Sequence, residues 1–479
     1  MSSLTWKNIQ ITAADIPPMT EIILFESDFN QVIGENILPD SIRSIVFSQK
    51  FNQPMGRNVL PESLESIEFA CAFNQPICPN VLPTSLKSII FGGEFNKPIE
   101  EGVLPESLES IVFYGIFNQP ITPNVLPKSL KSIVLGNRFN QLITPNVLPN
   151  SLKSIVFGYR FNQPITPNVL PNSLKSIEFG DNFNQPIGPN VMPVSLESIK
   201  FGDDFDQPIW PNALPDSLKF IEFRWNFDQP IDVGVLPVSL KSIIFQHRFN
   251  QPIGPNVLPD SLESIGFGHR FNQPIGPNIL PISLESIKFG DSFNQPIGPN
   301  VLPVSIKSIT FGSDFNQPIE ASVLPKYLES IVLGSRFNQL LDENVLPKFL
   351  KYIEDPIGHI TSTLALCHLG YLEHIFIHEE NTIETNIDNF PHSLKYLSCF
   401  SYRILLSLNS ESQRMWFSVI ATSLDQLLAL TYSVLCESPY INRSCYEVVG
   451  EEMIHGKKYV RLINPKHYQP RSNAKSARK

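Results

Sequence analysis

Phe-Asn recurs at positions 29, 51, 73, 95, 117, 139, 161, 183, 205, 227, 249, 271, 293, 315 and 337, with Asp206 and Asp228 replacing the asparagine twice. Fifteen copies spaced by 22 residues, without one insertion, leave a single class of fold. A fixed period of this length marks supersecondary units that cannot bury their own apolar face and therefore stack on one another as a solenoid. The repeat overrides the expectation that 479 residues divide into about three globular domains.

Composition agrees with a packed array. The 43 prolines fall in register with the repeat, and 42% of the residues are hydrophobic, which separates the chain from proline-rich disorder. A net charge of −10 argues against a nucleic-acid partner. Six cysteines without a C-x-x-C pair suit a reducing compartment, and no basic segment followed by an apolar run opens the chain. These features predict an intracellular, cytoplasmic protein. The most apolar stretch, residues 415–436, is interrupted by Asp425 and Gln426, so it reads as a buried helix and no membrane association is expected.

The unit is F-N-Q-P-I-x-P-N-V-L-P-x-S-L-x-S-I-x-F-G-x-x. In Leu64-x-x-Ile67-x-Phe69 the alternation turns Ile67 and Phe69 inward and Ser66 and Glu68 outward, which predicts a strand. Pro76, Pro79 and Pro83 leave no room for a helix in the other half of that coil, so the return path is expected to be extended. The predicted fold is a mainly β, leucine-rich-repeat-like stack of about 18 coils of 22 residues. It has one parallel sheet, an extended back and a helical C-terminal cap. At roughly 4.8 Å per strand such a sheet is about 85 Å long. The Asn of P-N-V-L-P exchanges with Gly102 and Gly234, which predicts a left-handed backbone there. The Asn after Phe is assigned to buried backbone groups in the loop that leaves the strand.

A charged residue precedes every strand, from Glu21, Arg43, Glu65, Lys87 and Glu109 to Lys395, and 13 of 17 neighbouring pairs are opposite in sign. Each exposed pair is worth only ~0–1 kcal/mol. Alternation nevertheless disfavours slippage of identical coils by one repeat. The expected organisation is an N-terminal cap over residues 1–15, the repeats over 16–354 and degenerate repeats over 355–400. A helical cap over 401–456, with its helix at 411–436, and a basic flexible tail over 457–479 complete it. A further short helix is expected over residues 361–370.

Catalysis needs unlike residues converging in a pocket, whereas a solenoid sets like residues in rows. His247 and His269 lie one period apart without a third ligand. His374 and His378 lack a recognisable ligand set, and Cys436 and Cys445 near His455 and His467 loosely resemble a nucleophile with a base but read as buried or unpaired thiols. Neither catalytic residues nor a cofactor are assigned. The two residues before each Phe-Asn vary from coil to coil while the frame stays fixed. They follow the strand and should line one rim of the sheet. Two basic groups emerge, Lys131, Arg138, Lys153, Arg160 and Lys175, then Lys241, His247, Arg248, His269 and Arg270. Between them stand Asp181, Asp203, Asp204, Arg224 and Trp225, and Trp210 breaks a slot usually held by Gly or Thr. Exposed Trp and Arg are enriched in interface hot spots. The candidate partner-binding residues are therefore Arg138, Arg160, Trp210, Arg224, Trp225, His247, Arg248, His269 and Arg270.

F-N-Q-P-I followed by V-L-P-x-S-L-x-S-I-x-F-G resembles the FNIP repeat, a relative of leucine-rich repeats found in social amoebae and giant viruses of amoebae. The resemblance spans about residues 16–354 and implies a protein-interaction array with partners of unknown identity. Some members carry an F-box, which would link them to ubiquitin ligases. Here about 15 residues precede the first in-phase coil, and none of them forms that motif. The expectation is a non-enzymatic interaction scaffold. A substrate receptor joined to a ubiquitin-ligase adaptor is the alternative, and a passive structural rod a second one.

Overall fold

The computed structural model describes residues 2–341, 345–355 and 369–377, together with strand residues 383–386, 396–399, 404–407, 447–454 and 457–463. A strand of three or four residues occupies each of the eighteen expected positions, from Ile22–Phe25 to Tyr396–Cys399. One more strand, Ser3–Trp6 (β1), precedes them and pairs in parallel with Ile22–Phe25 (β2). The N-terminal segment thus adds a rung, with Trp6 buried and Ile9 exposed.

Two compact units divide the chain, residues 1–262 and 263–479. In the first, every strand from β1 to Ser242–Phe245 pairs in parallel with the next, and from β2 onward the register is one period, as in Ile67 opposite Ile45 and Ile89. In the second, the strands from Ser264–Gly266 to Tyr396–Cys399 repeat that arrangement. A separate four-stranded sheet joins Ile383–Asn386 in parallel to Ile404–Ser407, followed by antiparallel Lys457–Ile463 and Glu447–Ile454. These strands differ from the helical cap and flexible tail expected over 401–479. The alternation of Tyr459, Arg461 and Ile463 with Val460 and Leu462 is a strand pattern that reading the segment for charge alone passes over. The helix expected over 411–436 and residues 361–368 of the shorter one lie outside the described residues.

The core follows from the period of two. Each coil contributes the same inward set, exemplified by Leu64, Ile67, Phe69, Phe73, Ile77, Val81 and Leu82, all buried. The strand phenylalanine stacks on the one four residues later, Phe69 on Phe73 at 4.0 Å between centroids. Each ring also faces its equivalent one coil away, Phe47 to Phe69 at 5.3 Å and Phe51 to Phe73 at 6.0 Å. Leu135 and Leu333 replace the strand ring and stay buried. Burial of one such side chain stabilises by ~1.5–3 kcal/mol, repeated at every rung.

No helix occupies the back of the described repeats. The P-N-V slot is left-handed as expected, with φ from 57° at Asn36 to 69° at Asn146 and 79° at Gly102. Ser322 takes the same conformation at φ 71° without the side-chain amide or the glycine that eases it. The second asparagine forms a ladder. Asn118 Oδ1 accepts the backbone N–H of Asn140 at 2.9 Å and Nε2 of Gln141 at 3.1 Å. Asp206 keeps the pattern through its own Oδ1, which accepts from Asp228 N–H at 3.0 Å and Gln229 Nε2 at 2.9 Å. What the position requires is an acceptor oxygen, and either side chain supplies one. A serine ladder runs beside it, with Ser63 Oγ donating to the Ile42 carbonyl at 2.8 Å and Ser85 Oγ to that of Leu64 at 2.6 Å.

The alternating charges before the strands meet as ion pairs, Lys87–Glu65 at 2.7 Å, Lys131–Glu109 at 2.8 Å and Lys351–Glu329 at 2.8 Å. Glu197 is held between Lys175 at 2.7 Å and Lys219 at 2.8 Å. Hydrogen bonds from both ammonium groups, and then their charges, bring its carboxyl from the ordinary 4.5 down to about 2. A depressed carboxylate stabilises the fold above its unfolded pKa and loses that contribution as pH falls through the folded one. The melting temperature should therefore drop between pH 4.5 and about 2, and less steeply in E197Q; identical slopes would contradict the assignment. In Asn118→Ala the Asn140 amide loses its acceptor, while Gln141 Nε2 keeps the Asn118 backbone carbonyl at 3.1 Å, and the loss should destabilise locally by about 1 kcal/mol. Faster hydrogen exchange at the Asn140 amide would show it, whereas Asn118→Asp should keep that amide protected.

Candidate partner-binding face

Side chains leave the sheet's outer face at alternate positions, and their chemistry changes along the stack. Val112, Val134 and Val156 give way to Glu178, Lys200 and Glu222 on successive rungs. Two residues further on, past the inward Phe or Leu, the coil normally carries glycine. The reason is contact between backbones. A Cβ on Gly158 would stand 1.8 Å from the Gly136 carbonyl oxygen, and one on Gly180 would stand 1.8 Å from that of Gly158. Tyr114, Arg224 and Gln246 occupy the same slot with long side chains. There the strand runs on to Phe113, Phe223 and Phe245, and the Tyr114 and Gln246 amides donate to the Phe91 and Phe223 carbonyls, each at 2.9 Å. Extension carries these side chains to the outer face.

Between Tyr114 and Arg224 the slot holds Gly136, Gly158, Gly180 and Gly202, and the result is a trough of about 490 Å³. Val134 and Val156 contribute to its lining, with Tyr114, Tyr159, Arg138 and Arg160. At the far end Arg224 reaches back over two coils to Glu178 at 2.8 Å and Asp181 at 3.3 Å. Arg138 and Arg160 are exposed and, among the described residues, form no ion pair. The lysines grouped with them by sequence, Lys131, Lys153 and Lys175, precede the strands that these arginines follow, and so stand at the other end of the sheet.

Beyond the trough the rim is cross-linked. Trp225 stacks flat on His247, with centroids 3.9 Å apart and planes inclined by 3°. Asn226 donates to Asp204 at 3.0 Å. Arg248 borders a second depression of about 420 Å³ with Asn182, Asp204, Asp206 and Asn226. Burial raises the Asp203 carboxyl above the ordinary 3.8, and the Asp181 charge adds to the rise; Arg224 opposes both. In the second unit His269 pairs with Asp291, and Arg270 is exposed. Trp210 is exposed in a different row, the turn after Ile209. Of the nine candidates, the trough gathers Arg138, Arg160 and Arg224. Tyr114, Tyr159 and Glu178 escaped the sequence reading. Tyr114 was legible as a departure from the glycine slot, and Glu178 as the first charge after three outward valines. Among the described residues no three His, Cys, Asp or Glu side chains converge as a metal site, and no helix is long and apolar enough to cross a membrane.

Replacing Arg224 by Leu removes the cation that holds Asp203 down, so the Asp203 pKa should rise further in a carboxyl-carbon NMR titration. An unchanged or lower value would contradict this electrostatic picture.

The FNIP Repeat matches residues 29–72, 73–115, 117–160, 139–182, 161–202, 183–224, 227–270, 271–314 and 315–354. The chain is also similar to the crystal structure of CroV588, a giant-virus protein described as a novel circular LRR protein, with a TM-score of 0.72 and 42% identity. The similarity covers 84% of this chain and 62% of that one. No curated protein matches the sequence. The repeat unit, its register and its matches along more than half of the residues identify the chain as a member of the FNIP repeat family.

Proposed function

We propose that the chain is a non-catalytic protein-interaction scaffold whose partners dock on the outer sheet face and on the rim where the strands end. One observation carries this reading: side-chain character is kept at the buried and ladder positions and varies at the exposed or half-buried pair before each Phe-Asn. Variation there brings out Trp225, 48% exposed, and the exposed arginines 138, 160, 248 and 270. Large planar groups on a rigid support contact a protein surface at low cost in conformational entropy. Membership of a leucine-rich-repeat-like family supports the same role.

The test is capture of partner proteins from amoebal lysate by the full chain, compared with Trp225→Ala/Arg248→Ala/Arg270→Ala. Hot-spot truncations cost ~2 kcal/mol or more, so affinity should fall by about thirtyfold and recovery with it. Equal recovery by the folded triple variant, or no capture by the unaltered chain, would overturn the proposal.

A further inference from the structure

The trough between Tyr114 and Arg224 has features that the repeat frame does not call for. Its axis runs across the strands, and the five coil steps from Tyr114 to Arg224 span ~24 Å at the spacing of neighbouring strands. The glycine row opens it, because successive backbones approach too closely there to admit a side chain. Tyr114 closes one end. Arg224 closes the other, with its charge answered by Glu178 and Asp181. Within those limits Val134 and Val156 supply apolar surface, and Tyr114 and Tyr159, each more than half exposed, supply two aromatic walls.

Its charge is out of balance. Elsewhere on the rim some cations meet anions on a neighbouring coil, as His269 does with Asp291 and Arg336 with Asp314 at 2.9 Å. Arg138 and Arg160 occupy the same slot on adjacent coils, and that slot holds Ile116 before them and Asn182 after them. Two like charges on neighbouring rungs repel, and the two carboxylates that line the trough, Glu178 and Asp181, are engaged by Arg224 at its far end. In a chain of net charge −10, this pair of arginines beside apolar and aromatic surface is a local inversion of sign. A carboxylate placed between two guanidinium groups relieves the repulsion and gains charge-assisted hydrogen bonds.

Resting on the scaffold reading above, we propose that this trough binds an acidic linear peptide segment of a partner protein. Its carboxylates pair with Arg138 and Arg160, and an interleaved apolar side chain lies on Val134 and Val156 between Tyr114 and Tyr159. An extended segment of roughly seven residues fills the trough at about 3.3 Å per residue.

The test uses the full chain and a fluorescein-labelled peptide of roughly seven residues that alternates glutamate with leucine, matched by one that alternates lysine with leucine. The acidic peptide should bind, its affinity should fall as salt rises, and Arg138→Glu/Arg160→Glu should lose about tenfold or more. Tyr114→Ala should weaken the same peptide. Lys153→Glu, at the opposite end of the strands between Lys131 and Lys175, should leave binding unchanged. Because all these side chains are exposed, an unaltered melting temperature distinguishes lost binding from lost folding. Absence of binding by the acidic peptide would overturn the inference. So would preference for the lysine peptide, or equal affinity for the folded double-arginine variant. Lysate capture that depends on Trp225, Arg248 and Arg270 would then still stand, which separates failure at the trough from failure of the scaffold reading.

Discussion

Each coil leaves backbone donors and acceptors that only a neighbouring coil can satisfy, and everything else in the structure is arranged around that requirement. Unpaired polar groups in an apolar interior cost more than a single hydrogen bond returns, so the arrangement must close at every rung. Parallel pairing closes it along the strand. The Asn oxygen closes it in the loop beyond, and the serine hydroxyl closes it before the next strand. These partners lie 21 to 23 residues apart, so one inserted residue would separate all of them together.

That requirement divides the coil into two populations of positions. Leu64, Ile67, Phe69, Phe73 and Asn74 have equivalents on the neighbouring rungs because each touches its own counterpart, whether ring against ring or oxygen against amide. The outward strand residue and the two residues before each Phe-Asn touch no such invariant partner, and their chemistry is free to change. Where it changes, the surface acquires features that a uniform ladder lacks, among them the Trp225–His247 stack, the Arg224 clamp and the glycine-floored trough. Stability thus draws on one set of the 22, and the proposed scaffold role assigns recognition to the other.

Much of this was legible in the sequence, because a strict period converts one correct reading into fifteen. The alternation around Ile67 gave the strand, the exchange of Asn with Gly102 and Gly234 gave the left-handed turn, and the charges from Glu65 to Lys351 gave pairs that the structure contains. The trough was not legible, because it depends on what is missing. Four glycines that look like ordinary repeat residues become a depression only when Tyr114 and Arg224 stand at its ends. The grouping of Arg138 and Arg160 with Lys131, Lys153 and Lys175 also failed in three dimensions. Seven residues along a coil run the length of a strand and separate its two ends. Past residue 400 the period stops, and the strand Lys457–Ile463 shows that charge content alone does not distinguish a tail from a β-strand.

The most direct test of the division between frame and face is a protease-resistance scan of every single substitution across residues 16–354 of the full chain. The account predicts a sensitivity profile with a 22-residue period. Its maxima should fall at the Leu, Ile, Phe, Asn and Gly slots, and its minima at the outward strand position and the two residues before each Phe-Asn. A profile without that period, or one in which Arg138, Arg160 and Arg248 are as intolerant as Phe73, would contradict it.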